Sequence, residues 1–374
     1  MKKFLVVSDS FKGTLSSLDI CHIFQETVKN KPDYEFLYLP VADGGEGSLE
    51  AISYVLKGKF INLEVHNLYL EKINVSYFID DKNNAYIEAS SCVGLINAKK
   101  DNDPGKVYTV GLGEQILDAI NKGIKNINIL LGGTASNDAG TGLAYALGAK
   151  FYDENNQEFL PNGLTLNKIK HIDLTNVNEI IKDININALC DVYSPFYGQE
   201  GASYKFAPQK GASPIETKLL DDNLRYFANI IKKDLNIDLQ NIPGTGAAGG
   251  LGGGLLSLCK AQIKSGIETI LNLMDFDHLL DEIDYVISGE GKLDKQTFNG
   301  KLVDGIAKRC LRKNKPLYLI VGSSTLDIDE IKINYPCIKN IYETNEKHLP
   351  FENIKNDAEN MYQQTINKFL NNFK

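Results

Sequence analysis

The chain has 374 residues, 43% of them hydrophobic and 24% charged, with a formal net charge of −8. That length and composition describe a folded protein of two domains rather than a disordered one. Without a cluster of lysine or arginine the chain offers no grip on nucleic acid or on an anionic membrane surface.

No run of about 18 apolar residues is present, and the apolar stretch 4–7 is too short for a signal sequence. The expectation is a cytoplasmic protein. Six scattered cysteines and five dispersed histidines lack metal-site spacing. If a metal is used, carboxylates and phosphate oxygens point to Mg²⁺.

In chain order, a strand at 4–7 leads into Asp9, Ser10, Phe11, Lys12 and Gly13, and helical spacing of apolar residues follows to about residue 29. A second strand, 36–39, opens onto Asp43, Gly44, Gly45 and Glu46 before a helix at 48–57. Twice, then, a strand delivers acidic residues and glycine to a helix start, the edge at which open α/β sheets bind ligands. Between 60 and 90 the pattern changes to alternating runs (61–65, 73–79, 85–88), which predict an antiparallel sheet and another domain. Glu88 closes the last run. A helix is expected at 109–122.

Residues 127–148 then read strand, glycine loop, helix, with Gly132 and Gly133 followed by Thr134, Ser136, Asn137 and Asp138. Paired glycines and a helix start suit a phosphate. An ordinary capped turn reads equally well. Residues 150–185 look like peripheral hairpins. A strand at 186–190 ends at Asp191, and a glycine- and proline-punctuated loop carries Gln209 and Lys210 ahead of a helix at 215–233. Gly244 to Gly249 fit the G-x-G-x-x-G spacing of dinucleotide sites, but no buried strand precedes them, so a turn packing the helix at 251–260 is preferred. The strand at 285–287 ends in Gly289, Glu290, Gly291 and Asp294, with Lys301 shortly after. A helix at 302–312, strands at 317–321 and 338–342 and a last helix at 355–371 complete the chain. The N-terminal and C-terminal parts together supply five strands, which predicts a doubly wound parallel sheet (1–62 and 283–374) split by an inserted mixed α/β domain (63–282).

Asp9 with Lys12, Asp43 with Glu46, Asp138, Asp191, and Glu290 with Asp294 all stand beside glycine or hydroxyl residues at strand ends. Phosphoryl transfer needs this palette: carboxylates for Mg²⁺, ammonium and N–H groups for phosphate charge, and one carboxylate to take a proton from the attacking hydroxyl. No G-x-S-x-G, P-loop or H-R-D signature occurs, which excludes the hydrolase elbow and the common kinase folds.

The segments DSFKGTLS (9–16), ADGGEGS (42–48), GGTASNDAGTGLAYALGA (132–149), CDVYSPFYGQEGASYKFAPQKGA (190–212), GTGAAGGLGGGLL (244–256) and SGEGKLDKQTFNGK (288–301) resemble, in order and spacing, the bacterial glycerate kinase family, type 1. The resemblance implies two α/β domains, a split flavodoxin-like one and an inserted one, with the site in the cleft. It also implies ATP- and Mg²⁺-dependent phosphorylation of D-glycerate to a phosphoglycerate, 2-phosphoglycerate favoured. On that reading Lys12 binds either the glycerate carboxylate or the γ-phosphate. Asp43 and Asp191 share the parts of general base and metal anchor in either order. Asp9, Ser10, Gly44, Gly45, Glu46, Gly132, Gly133, Ser136, Asn137, Asp138, Gln209, Lys210, Gly289, Gly291 and Lys301 line phosphate or substrate. Glu290 and Asp294 hold the Mg²⁺–nucleotide. The partners are small molecules, the protein a monomer or homodimer. Val93, Tyr193 with Ser194, Ala207, and Leu302 with Val303 depart from the family's usual residues and bear on substrate preference. The alternatives are a kinase of another small hydroxy acid or polyol, and an NAD-dependent dehydrogenase using the glycines at 244–249.

Overall fold

The computed structural model describes residues 1–41 and 47–373. Asp43, Gly44, Gly45 and Glu46, named above as site candidates, lie outside the described residues. In chain order the strands are β1 (Lys2–Val6), β2 (Tyr34–Tyr38), β3 (Gly58–His66), β4 (Lys72–Asp80), β5 (Asn84–Glu88), β6 (Asn126–Leu130), β7 (Lys150–Tyr152) and β8 (Glu158–Phe159). Then come β9 (His171–Asp173), β10 (Asn185–Leu189), β11 (Gln262–Lys264), β12 (Tyr285–Ser288), β13 (Lys292–Leu293), β14 (Leu317–Val321), β15 (Ser323–Ser324) and β16 (Ile338–Glu343). Contacts divide the described residues into two compact units, 1–41 with 50–56 and 267–373, and 47–49 with 57–266.

In the first unit the sheet order is β16-β14-β12-β1-β2, every pair parallel. Counted within the unit this is 2-1-3-4-5, so the winding reverses between β1 and β12, where a crevice opens at the carboxyl ends of the strands. Aromatic residues fill one face. Phe4 stacks on Phe36 and on Tyr285, each at 5.1 Å between ring centres, and meets Phe373 edge-on at 5.0 Å. Such rings bury large area at favourable offset or edge geometry. The last helix, Ala358–Asn372, buries Tyr362, Ile366 and Phe369 on this layer, which is why its apolar residues recur at helical spacing.

The second unit has a six-stranded sheet, β11-β10-β6-β5-β4-β3. β3, β4 and β5 run antiparallel, as their alternation implied, but they do not make a sheet of their own. β5 is buried at four of five positions and pairs with β6, so the same sheet continues as four parallel strands. Residues 150–184 hold a small three-stranded sheet, β8-β7-β9, with a 3-10 turn, Leu166–Lys168, and a short α-helix, Thr175–Ile180.

The units part at residues 57 and 266, not at 62 and 283. β3 begins at Gly58, in register with Asp80 of β4, although residues 58–60 are too exposed to read as a strand in sequence. Residues 267–282 fall with the first unit because Arg309 Nη2 donates to Glu268 Oε2 and Asn272 Oδ1, both at 2.7 Å. Gly305, without a Cβ, also lets the helix Leu302–Arg312 settle against Ile267 and Leu271. The six cysteines are free, five of them buried. Burial pushes the Cys21 and Cys92 thiols up to about 12, which makes them inert.

Candidate active site

In the first unit, β1, β12, β14 and β16 end side by side, and the residues that follow them line a cavity of about 540 Å³. After β1 the backbone closes a tight loop in which Phe11 N donates to Leu15 O (2.8 Å) and Leu15 N to Phe11 O (3.1 Å). Gly13 turns that loop at φ +83°, a conformation that costs glycine nothing. Lys12 is thereby carried on its exposed crest. Asp9 is buried, with Oδ1 accepting from Ser10 N at 2.8 Å. It is anchored to the neighbouring strand end through Asp9 N to Gly289 O at 3.0 Å.

Gly289 has a packing reason. A Cβ there would stand 1.7 Å from the carbonyl oxygen of Ile320, so no side chain fits between β12 and β14. At Gly291, by contrast, a Cβ would stand 3.4 Å from Phe11 Cα, an ordinary contact. Between them Glu290 lines the cavity with 8% of its surface exposed, and its Oε1 is buried without a hydrogen-bond partner among the described residues. Burial holds its carboxyl above the usual carboxylate range. The Thr297 hydroxyl and the Lys301 ammonium draw it back down, and Lys12 adds a smaller pull. Lys301 Nζ stands 4.0 Å from Glu290 Oε2, and Lys301 occupies the N-cap position of the helix Leu302–Arg312 without a side-chain capping bond, so the helix's positive end adds to the local field. Asp294, on the same wall, accepts from Gln296 N at 2.8 Å, while Thr297 Oγ1 accepts from Asp294 N at 3.0 Å. Thus Asp9, Ser10, Lys12, Glu290, Gly291, Asp294 and Lys301 line one hollow, though the first and the last lie at opposite ends of the sequence.

The second unit presents its own strand ends. Asp191, two residues past the end of β10, is half-buried, and its Oδ1 accepts from Ser265 Oγ at 2.6 Å. Glu88, at the end of β5, is buried and accepts from Leu49 N at 2.9 Å. Gly133 is exposed at φ +72°, and a Cβ there would meet Ser90 Cβ at 3.5 Å. Beyond Gly132 and Gly133 the loop turns inward. Asp138 is buried, and accepts from Thr109 N (2.9 Å), Thr109 Oγ1 (2.7 Å), Gly140 N (3.1 Å) and Gly142 N (3.3 Å). It closes the starts of two helices, Val110–Asn121 and Thr141–Ala146, so its carboxylate is spent inside the fold. Burial nonetheless holds its carboxyl above the usual range.

Ser136 and Asn137 are fully buried as well, Asn137 Nδ2 donating to Ser203 Oγ at 3.2 Å. Lys210, read from sequence as a group on a closing loop, is buried with its Nζ donating to Ser136 O (2.7 Å) and Thr134 Oγ1 (3.4 Å). Desolvation lowers it to about 7. Gln209 beside it is exposed. The stretch 244–249 is a packing knot. A Cβ at Gly246 would fall 2.0 Å from Pro195 O, and one at Gly249 2.1 Å from Ser136 O.

Several cavity residues carry no acidic or glycine signature in the sequence. Ser323, Thr344 and Asn345 follow β14 and β16, and the strand-end rule that singled out Asp9 and Glu290 finds them when applied to every strand of the sheet. Leu349, Phe351, Ile354 and Met361 give the cavity an apolar side, and no motif marks them.

The glycerate kinase family model matches residues 4–374. Glycerate 2-kinase of Escherichia coli K12 is 38% identical over 330 residues, 87% of this chain and 86% of that protein. A glycerate kinase of Bacillus cereus is 37% identical over 325 residues, 86% of this chain and 85% of that one. Among solved structures, a protein of Salmonella typhimurium LT2 proposed to be glycerate kinase 2 superposes with a TM-score of 0.80 at 34% identity, covering 98% of this chain and 96% of that one. Both α/β units with their parallel strands are thus within a known architecture.

Proposed function

Because the chain belongs to the glycerate kinase family, kinases that move a phosphoryl group onto an alcohol, we propose that it transfers the γ-phosphoryl group of ATP to D-glycerate, at the 2-hydroxyl, with Mg²⁺. One observation supports this most: cationic and acidic side chains from both ends of the sequence share a single hollow at the carboxyl edge of a parallel sheet. The first unit, with its 2-1-3-4-5 order, reads as the split flavodoxin-like domain of that family.

Glu290 and Asp294 suit Mg²⁺. Among the described residues no group of three or more His, Cys, Asp or Glu forms a metal cluster. Mg²⁺ needs no such cage, since it ordinarily takes one or two carboxylates with phosphates and water. Glu290 Oε1, unpartnered among the described residues, is a carboxylate atom suited to a cation or a proton donor. Bound there, the ion supplies neutralisation of phosphate charge. Lys12 and Lys301 add to it from the protein side, holding the terminal phosphates and stabilising the charge that spreads over the oxygens during transfer. Asp191 is the candidate base for the glycerate hydroxyl, oriented by Ser265 Oγ, with Asp43 as the alternative.

A coupled assay for ADP tests the reading. ADP release is expected to require both D-glycerate and Mg²⁺. A panel in which another small hydroxy acid or a polyol supports turnover and D-glycerate does not would overturn the substrate assignment.

A further inference from the structure

The cavity of the first unit has two unlike sides, and the reaction so far described uses only one. Phosphates and a metal engage Lys12, Glu290, Asp294 and Lys301. The other side is built by Leu349, Phe351, Ile354, Ala358 and Met361, from the segment that follows β16. Glycerate is a three-carbon polar acid with no apolar face to set against them. At about 540 Å³ the cavity is also much larger than such a molecule requires, and falls within the roughly 300–1,000 Å³ of ordinary cofactor and small-molecule pockets.

The apolar side is a held structure. Asn345, buried after β16, donates from Nδ2 to Leu349 O (3.0 Å) and accepts at Oδ1 from Leu349 N (2.9 Å), while its own N–H donates to Gly322 O (2.9 Å). This pins the turn that carries Phe351. The Phe351 ring in turn lies over Gly13, where a Cβ would come within 3.0 Å of Cζ, so the ring stands beside the loop that bears Lys12. Yet Leu349 and Phe351 remain 42% and 45% exposed. A flat apolar ring system with a polyanionic tail matches both sides at once.

We propose that this cavity is the nucleotide site, the purine lying against Phe351, Ile354 and Met361 and the phosphates reaching toward Lys12, Lys301 and Glu290. This deepens the kinase reading and rests on it for the identity of the tail. A base held by an aromatic face loses about fivefold or more in affinity when the ring is removed.

Calorimetric titration of the full-length protein with Mg²⁺–ADP, and separately with inorganic tripolyphosphate, tests the assignment without any acceptor. Phe351→Ala is expected to weaken ADP by about fivefold or more and to leave tripolyphosphate, which has no base, unchanged. Lys301→Ala is expected to weaken both. Met361→Ala provides a second probe of the wall should Phe351→Ala fold poorly. In turnover the wall variants are expected to raise the KM for ATP and not that for glycerate. Unchanged ADP affinity in both wall variants, or equal losses for ADP and tripolyphosphate, would overturn the assignment. ADP binding that depends on the wall in a protein that phosphorylates no glycerate would uphold the nucleotide site and refute the acceptor, so the two claims fail separately.

Discussion

Lys210→Met isolates the burial of one ammonium group. In the folded protein Lys210 titrates at about 7 against an ordinary 10.5, because desolvation outweighs the pull of Asp138. The folded state therefore releases this proton near neutrality, while the unfolded chain keeps it until well above pH 9. Between those values the unfolded state binds more protons, so stability rises with pH, and the penalty for burying the charge is fullest below pH 7. From pH 7 to pH 9 the folded lysine goes from half to almost wholly neutral. At about 1.4 kcal/mol per pH unit of full proton difference, that contributes about 2 kcal/mol. Urea unfolding followed by far-ultraviolet circular dichroism, with reductant to protect the thiols, measures it. Wild type is expected to gain about 2 kcal/mol on Lys210→Met between the two pH values, whatever the gap at pH 7. An unchanged gap would mean that Lys210 stays charged when folded, and would restore it as a candidate ligand for phosphate.

Three further outcomes follow from the geometry. Glu290→Gln is expected to raise the Mg²⁺ concentration needed for half-maximal rate by about tenfold or more, read from metal titrations at saturating ATP. Asp138→Ala leaves the N–H groups of Thr109 and Gly140 without their acceptor. A loss of about 3 kcal/mol or more is expected in denaturation, with no selective change in either KM. Asp191→Asn is expected to lower kcat by about 100-fold or more, and Ser265→Ala to lower it less, both with the KM for ATP unchanged; a normal kcat for Asp191→Asn would remove Asp191 from the chemistry.

What the sequence reveals here depends on repetition. Asp9 alone reads more readily as a helix cap than as a ligand, but the same acid-and-glycine grammar after β1 and after β12 marks one sheet edge, and Asp9 and Glu290 line the same cavity. Asp138 shows the opposite case. Its neighbours read as a phosphate loop, and nothing in the local sequence reveals that Thr109, 29 residues earlier, delivers two hydrogen bonds to it. Lys210 sits in a loop rich in glycine and proline that reads as mobile, yet its short helical turn, Pro208–Lys210, is clasped by Asn102 Nδ2 at 2.7 Å from its carbonyl. Such long-range capture is invisible to spacing. The apolar wall escapes for a different reason: Ala358 and Met361 have ordinary helix composition, and only the emptiness beside them gives them a role. The unit boundary at Gly58 was hidden because an exposed strand end carries no apolar alternation.

The central claim is the transfer of a phosphoryl group to a hydroxyl of D-glycerate, and the product's phosphorus resonance tests it most directly. Purified protein incubated with ATP, Mg²⁺ and D-glycerate is expected to yield a phosphomonoester signal split into a doublet by the single proton on carbon 2. A triplet from the two protons on carbon 3 would contradict the site of transfer, and the absence of any new phosphomonoester would contradict the account as a whole.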